Sequence, residues 1–210
     1  RFMHFINGFN QIFINSEDQV ISEKYAEIRK FLKDKKDGDM DTRDILTIKG
    51  LIRRGEARTA CTYNNIPLER CHFLDLPFYE TGKIQKNPIS EADVEIVRNL
   101  LREVKPHQIF VAGDLADPHG THRVCTDAVF AAVDLEKEEG AEWLKDCRIW
   151  MYRGAWAEWE IENIEMAVPI SPEELRAKRN SILKHQSQME SAPFLGNDER
   201  LFWQRSEDRN

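Results

Sequence analysis

Gln108-Ile109-Phe110-Val111-Ala112-Gly113-Asp114, followed two residues later by Asp117-Pro118-His119-Gly120-Thr121-His122 and then by a helical pattern from Arg123 to Val133, is the stretch that decides the fold class. It reads as an apolar run of strand length, a polar loop with two histidines, and a helix. That is how an α/β sheet builds a site at the carboxyl ends of its strands. Upstream, Cys71 to Leu76 is short, apolar and ended by Pro77, which reads as a buried strand. Ser90-Glu91-Ala92-Asp93 is a capping-box variant, and Val94, Val97, Leu100, Leu101 and Val104 continue a helix that Pro106 stops. Strand, helix and strand in that order imply parallel pairing through a right-handed crossover, and hence an α/β fold.

Working outward, the helix after the histidine loop should run from about Thr121 to Glu139, with Gly140 closing it. Cys147 to Tyr152 is the next expected strand, and Trp156 to Glu165 a loop followed by an edge strand. Ser171-Pro172-Glu173-Glu174 is a helix start, with a capping serine, proline in the first turn and carboxylates at the positive dipole end. That helix is expected to reach about Met189, and a last one to span Glu199 to Ser206. Toward the N-terminus, Phe2, Phe5, Ile6, Phe9, Ile12 and Phe13 recur at helical spacing. A second helix is expected from Asp18 to Lys35, then a charged break, then a third from Thr42 or Asp44 to Tyr63. The expected organisation is a single domain over 1–210, with a helical part to about 66 and the sheet and site region beyond it.

The 210 residues suffice for one core. A net charge of −7 argues against nucleic acid as the main partner, because phosphate binding needs a basic surface. Cys61, Cys71, Cys125 and Cys147 form no CxxC pair, and reduced thiols in a cytoplasm are the simplest reading. No window is long and apolar enough to span a bilayer, so no membrane partner is expected. The sequence starts inside an apolar-periodic run, which suggests a piece of something longer.

Three groups of residues could carry chemistry. His119 and His122 are candidate metal ligands, since neutral imidazole is the commonest nitrogen ligand for zinc, although H-x-x-H alone is far weaker than HExxH. Asp114 and Asp117 stand near them, and a carboxylate beside an imidazole fixes its tautomer or raises its pKa. The bland alternative is a pair of exposed loop histidines. Arg53 and Glu56 share a helix. An arginine in a pocket can hold a hydroxyl or phosphate, with Glu56 keeping it in place, whereas an exposed helix face is the commoner use of such a pair. Lys178 to Gln188 is a polar helix end, in which structural hydrogen bonding by His185, Ser187 and Gln188 is the simpler account. Trp143, Trp150, Trp156 and Trp159 could stack on sugar, but aromatic residues more often serve the core.

Taken together, Arg53-x-x-Glu56-Ala57, Phe73-Leu74-Asp75-Leu76, Asp117-x-His119-x-x-His122-Arg123 and Lys178-x6-His185-x-Ser187-Gln188 resemble the LmbE-like, or PIG-L, family of metal-dependent N-deacetylases, over about Leu51 to Gln188. Within it the chain is most similar to LmbE-like domains that follow a glucosamine-6-phosphate deaminase (isomerase) domain in some bacterial proteins. The resemblance implies a Rossmann-like three-layer sandwich with a mainly parallel sheet. It implies His122 as a zinc ligand, His119 as the group that stabilises the tetrahedral intermediate, and Arg53 near an amino-sugar substrate; Asp117, as a carboxylate beside these imidazoles, is the further expected catalytic residue.

Two departures temper this. The family has Asp or Asn where Thr121 stands, and its first motif, His-Pro-Asp-Asp, which supplies two metal ligands and the general base, does not occur. The chain is therefore expected to lack the N-terminal strand of the family's sheet, to bind zinc weakly or not at all, and to hydrolyse little. The alternatives are a non-catalytic oligomerisation or regulatory module of a glucosamine-6-phosphate isomerase-like protein, and a sugar- or nucleotide-binding α/β module without metal. Unpaired sheet edges would invite self-association, so a homo-oligomer is expected.

Overall fold

The computed structural model describes residues 2–36, 38–79, 87–113, 120–153, 158–189 and 197–208. Its elements in chain order are α1 (Phe2–Phe13), α2 (Asp18–Asp34), α3 (Arg43–Tyr63), α4 (Glu91–Val104), β1 (Gln108–Ala112), α5 (Thr121–Glu138), β2 (Arg148–Tyr152), α6 (Pro172–Ile182) and α7 (Phe202–Glu207). The chain divides into two compact units. The first comprises Arg1–His72 and Ser171–Pro193, the second Phe73–Ile170 and Phe194–Asn210. No helix among the described residues is long and apolar enough to cross a membrane.

The first unit is helical. The spacing in α1 places Phe9 and Phe13 on one face, their rings 4.7 Å apart, and they bury with Ile28 of α2 and Ile45 and Ile48 of α3. Each fully buried side chain of this size contributes about 1.5–3 kcal/mol. Thr42 caps α3 by accepting from the Ile45 N–H. Along the other end of α3, α6 is fastened by Asn64 Nδ2 donating to Ser181 Oγ at 2.6 Å and Asn180 Nδ2 donating to the Tyr63 hydroxyl at 3.0 Å. The Lys184 ammonium sits 4.7 Å from the centre of the Tyr63 ring.

The second unit holds the sheet. β1 and β2 pair in parallel, Gln108 opposite Arg148 through Ala112 opposite Tyr152, with α5 lying between them in sequence. The architecture is thus mixed helix and sheet with a small parallel two-stranded sheet, compatible with the α/β expectation. Ala128 and Ala132 of α5 are fully buried one turn apart, and they pack with Val97 and Leu101 of α4. Their small side chains leave room for a close helix–helix approach. An ionic lattice joins the same two helices. Arg98 and Arg102 each donate through Nε to Glu136 Oε1 at 2.6 Å, and both also reach Glu139. The capping box at Ser90 is present, and Asp93, fully buried, additionally accepts from the Phe78 N–H at 2.9 Å.

Four local expectations change. Cys71–Leu76 is extended but forms no strand, because Asp75 adopts a left-handed conformation (φ 50°) that breaks the period-two run. Among 158–165 there is a 3-10 turn at Ile161–Asn163 and no edge strand. Trp159 instead folds back on β2, donating Nε1 to the Met151 carbonyl at 3.0 Å, with the Arg153 guanidinium 4.0 Å from its ring centre. The helix α6 stops at Ile182 and is followed by a 3-10 turn at Gln186–Gln188. There the Ser187 N–H goes to the Glu56 carboxylate, where a continued α-helix would direct it to Leu183. Finally, α7 begins only at Phe202, since Asp198 folds onto the backbone N–H and guanidinium of Arg200.

Candidate functional site

The histidine loop is anchored at both ends. At its entrance, the Gly113 N–H donates to the Tyr152 carbonyl at 2.6 Å. A side chain there would meet Trp159 Cζ2 at 2.8 Å and Met151 Cβ at 3.0 Å, so only glycine fits. Thr126 of α5, itself buried, donates its hydroxyl to the Ala112 carbonyl at 2.8 Å and ties the end of β1 to the helix after the loop. At the exit, Gly120 has φ 67°, a conformation that costs an L-residue energy, and it accepts the Val124 N–H as α5 starts. Asp114, Asp117 and His119 lie outside the described residues. His122 is exposed on the first turn of α5. Thr121, beside it, lines an apolar cavity of about 540 Å³ together with Leu74, Leu76, Leu101, Val111 and Cys125.

The second candidate group lies within the first unit. Arg53 and Glu56 are on α3, one exposed and the other 3% exposed. Glu56 is not the partner of Arg53. Its Oε1 accepts from the Ser187 N–H at 2.8 Å and its Oε2 from the Ser187 hydroxyl at 2.7 Å, and His4 Nδ1 is 4.0 Å from Oε1. Arg53 meets Gln188 instead. A guanidinium can only donate, so the amide oxygen must face it, and it accepts from Nε at 3.1 Å and Nη2 at 3.2 Å. His185, half-buried, precedes the 3-10 turn. The two sequence motifs that end in Glu56 and begin at Lys178 are thus interlocked through Ser187 and Gln188. Spacing alone could not reveal this, because the partners are 131 residues apart.

Among the described residues no group of three or more His, Cys, Asp and Glu side chains is arranged to hold a metal ion. These described residues by themselves do not make a zinc centre. Of the tryptophans, Trp143 packs on the α4–α5 core and Trp159 on β2, which is structural use; Trp156 lies outside the described residues.

Comparison with known proteins adds the lineage. Residues 31–133 match the model of the PIG-L family, GlcNAc-PI de-N-acetylase. Just under half of the chain is thus similar to the PIG-L, or LmbE-like, family. The matched stretch contains Arg53, Glu56, His119 and His122, while Ser187 and Gln188 fall beyond it and join it only through the fold. Over all 210 residues the chain is 95% identical to a protein of Bacteroides thetaiotaomicron named as glucosamine-6-phosphate deaminase-like, and it spans 32% of that protein's length. No solved structure matches the chain. The PIG-L match and the relative's name agree with the amino-sugar connection that the motifs imply.

Proposed function

We propose that this PIG-L domain is a metal-dependent N-deacetylase-like module of amino-sugar metabolism, a hydrolase-type scaffold acting on the amide of an N-acetylated glucosamine derivative. In this reading His122 is a zinc ligand, His119 offsets charge on the tetrahedral oxyanion, Asp117 orients that imidazole, and Arg53 contacts the sugar. β1, β2 and the helices α4 and α5 are part of a Rossmann-like three-layer sandwich. The observation that supports the reading is the joining of the Arg53–Glu56 and Ser187–Gln188 motifs by hydrogen bonds, which makes them one structural element in a chain whose residues 31–133 match the PIG-L family.

With His-Pro-Asp-Asp absent from these 210 residues, the chain on its own is proposed to bind zinc weakly and turn over little. A second reading is favoured by Thr121, which stands where the family's motif has a carboxylate or its amide. It is a non-catalytic oligomerisation or regulatory module of a glucosamine-6-phosphate isomerase-like protein, self-associating through edges of the β1–β2 sheet that no described strand pairs.

Acetate release from N-acetylglucosamine and its 6-phosphate, with and without zinc, separates the two. It should be measured for this chain and for the full-length Bacteroides relative. Zinc-dependent release by the relative, lost on the substitution equivalent to His122→Ala, supports the deacetylase reading. No release by either protein, with a homo-oligomer of this chain in light scattering, supports the second.

A further inference from the structure

Arg53 presents an unusual combination. It is exposed, yet its guanidinium is held on one edge, and that edge is filled by a neutral amide rather than a carboxylate. A guanidinium has two bidentate edges, Nε with Nη2 and Nη1 with Nη2. Gln188 occupies the first. The second, with two parallel N–H groups and an uncompensated positive charge, has no partner among the described residues.

Gln188 in turn is not a free surface side chain. It follows Ser187, whose backbone N–H and hydroxyl are both fixed to the carboxylate of Glu56, a side chain only 1% exposed. Glu56 lies three residues after Arg53, nearly one helical turn along α3. The anchor and the group it orients therefore stand on the same rigid element, and the 3-10 turn bridges between them.

We infer that Glu56, Ser187 and Gln188 are positioning residues that set the Arg53 guanidinium in one orientation, with its Nη1–Nη2 edge turned to an acceptor on the substrate. This rests on the reading of Arg53 as the sugar contact. It goes beyond that reading by assigning a task to the Ser187–Gln188 segment and a geometry to the contact. A long arginine side chain left unrestrained loses side-chain entropy on binding. An amide that has already fixed it removes part of that cost and leaves the charge unspent, which a carboxylate partner would not do. The acceptor that suits the remaining edge is a pair of oxygens, such as a phosphate or two neighbouring hydroxyls.

The test uses the whole chain and reads the guanidinium directly. In ¹H–¹⁵N spectra the Nε–H of Arg53, assigned by its loss in Arg53→Lys, should exchange with water several-fold more slowly in the wild type than in Gln188→Ala. Ser187→Ala should weaken the protection in part, and Gln188→Glu, whose carboxylate also accepts, should restore it. Circular dichroism checks that each variant remains folded. Unchanged Nε–H exchange in a folded Gln188→Ala variant overturns the inference. Titration with N-acetylglucosamine 6-phosphate then addresses the substrate reading separately. A shift of the Arg53 resonances on titration, weakened at least several-fold by Gln188→Ala, supports both ideas. Absence of any shift in the wild type defeats the sugar contact, while the exchange data still decide the positioning.

Discussion

Ser187 gives both of its donors to one carboxylate: its backbone N–H lies 2.8 Å from Glu56 Oε1 and its hydroxyl 2.7 Å from Glu56 Oε2. The charged acceptor is buried and the two bonds are charge-assisted, which places them among the stronger hydrogen bonds a protein makes. Glu56→Ala would leave the Ser187 donors without that partner and open a small gap beside α3. The expected loss is about 1–3 kcal/mol, because a buried donor deprived of its partner bears its full desolvation cost. Urea denaturation followed by circular dichroism measures it. Ser187→Ala, which removes one donor and keeps the backbone bond, should cost less than Glu56→Ala; equal costs would show that the backbone bond contributes nothing.

The Gly113 position offers a purely steric test. Its φ is not in the left-handed region, so alanine would meet no backbone penalty there. A Cβ would nevertheless stand 2.8 Å from Trp159 and 3.0 Å from Met151. Gly113→Ala should destabilise the second unit by about 1–3 kcal/mol, the usual range for overpacking. Pairing it with Trp159→Leu, which withdraws the ring, should recover part of the loss. Thermal melts of the single and double variants measure this, and strict additivity would remove the Trp159 contact as the cause.

Thr126→Val keeps the shape of the side chain and removes its hydroxyl bond to the Ala112 carbonyl. A single neutral hydrogen bond is worth about 1 kcal/mol, so the global effect should be of that size. The local effect should be larger at the end of β1 and the start of α5, since this bond joins the two. Amide hydrogen exchange should rise at the end of β1 and the first turn of α5 before it rises in α1 to α3.

Much of this architecture is legible in the sequence because it is written in local signals. The period of Phe5, Phe9 and Ile12, the serines before Glu91 and Pro172, and the apolar run after Pro106 each specify their element with little help from the rest of the chain. The failures come where a distant partner overrides the local preference. Ser171 to Met189 reads as one helix until Glu56 takes the Ser187 N–H. Cys71 to Leu76 reads as a strand until Asp75 turns it. Trp156 to Glu165 reads as a loop and then an edge strand, but the Trp159 indole finds the Met151 carbonyl. The site divides in the same way. The histidine pattern is visible as a motif, and the spacing of Arg53 and Glu56 suggests a pair, but their partners, Gln188 and Ser187, emerge only in three dimensions.

The acid dependence of stability should be dominated by carboxylates of the second unit. Burial alone would push the Asp93 carboxyl up, but hydrogen bonds from the Ser90 hydroxyl and the backbone N–H groups of Phe78 and Ser90 outweigh it, and the net shift is downward. Glu136 behaves alike: burial raises it, and bonds from Arg98, Arg102 and Trp143 bring it below the ordinary range. A carboxyl depressed in the folded state binds its proton more weakly there than in the unfolded chain. Its stabilising contribution is therefore full above the unfolded value, about 4, and fades as pH falls below it through the folded value. Stability should be nearly flat from pH 7 to 5 as far as these groups are concerned, and should drop steeply below about pH 4. Asp93→Asn removes one of these depressed carboxyls and weakens the cap by about 1 kcal/mol at neutral pH. Its stability curve should start lower and fall less steeply in acid. Denaturation midpoints of wild type and variant from pH 2.5 to 7 test this, and parallel curves would mean that Asp93 contributes no acid sensitivity.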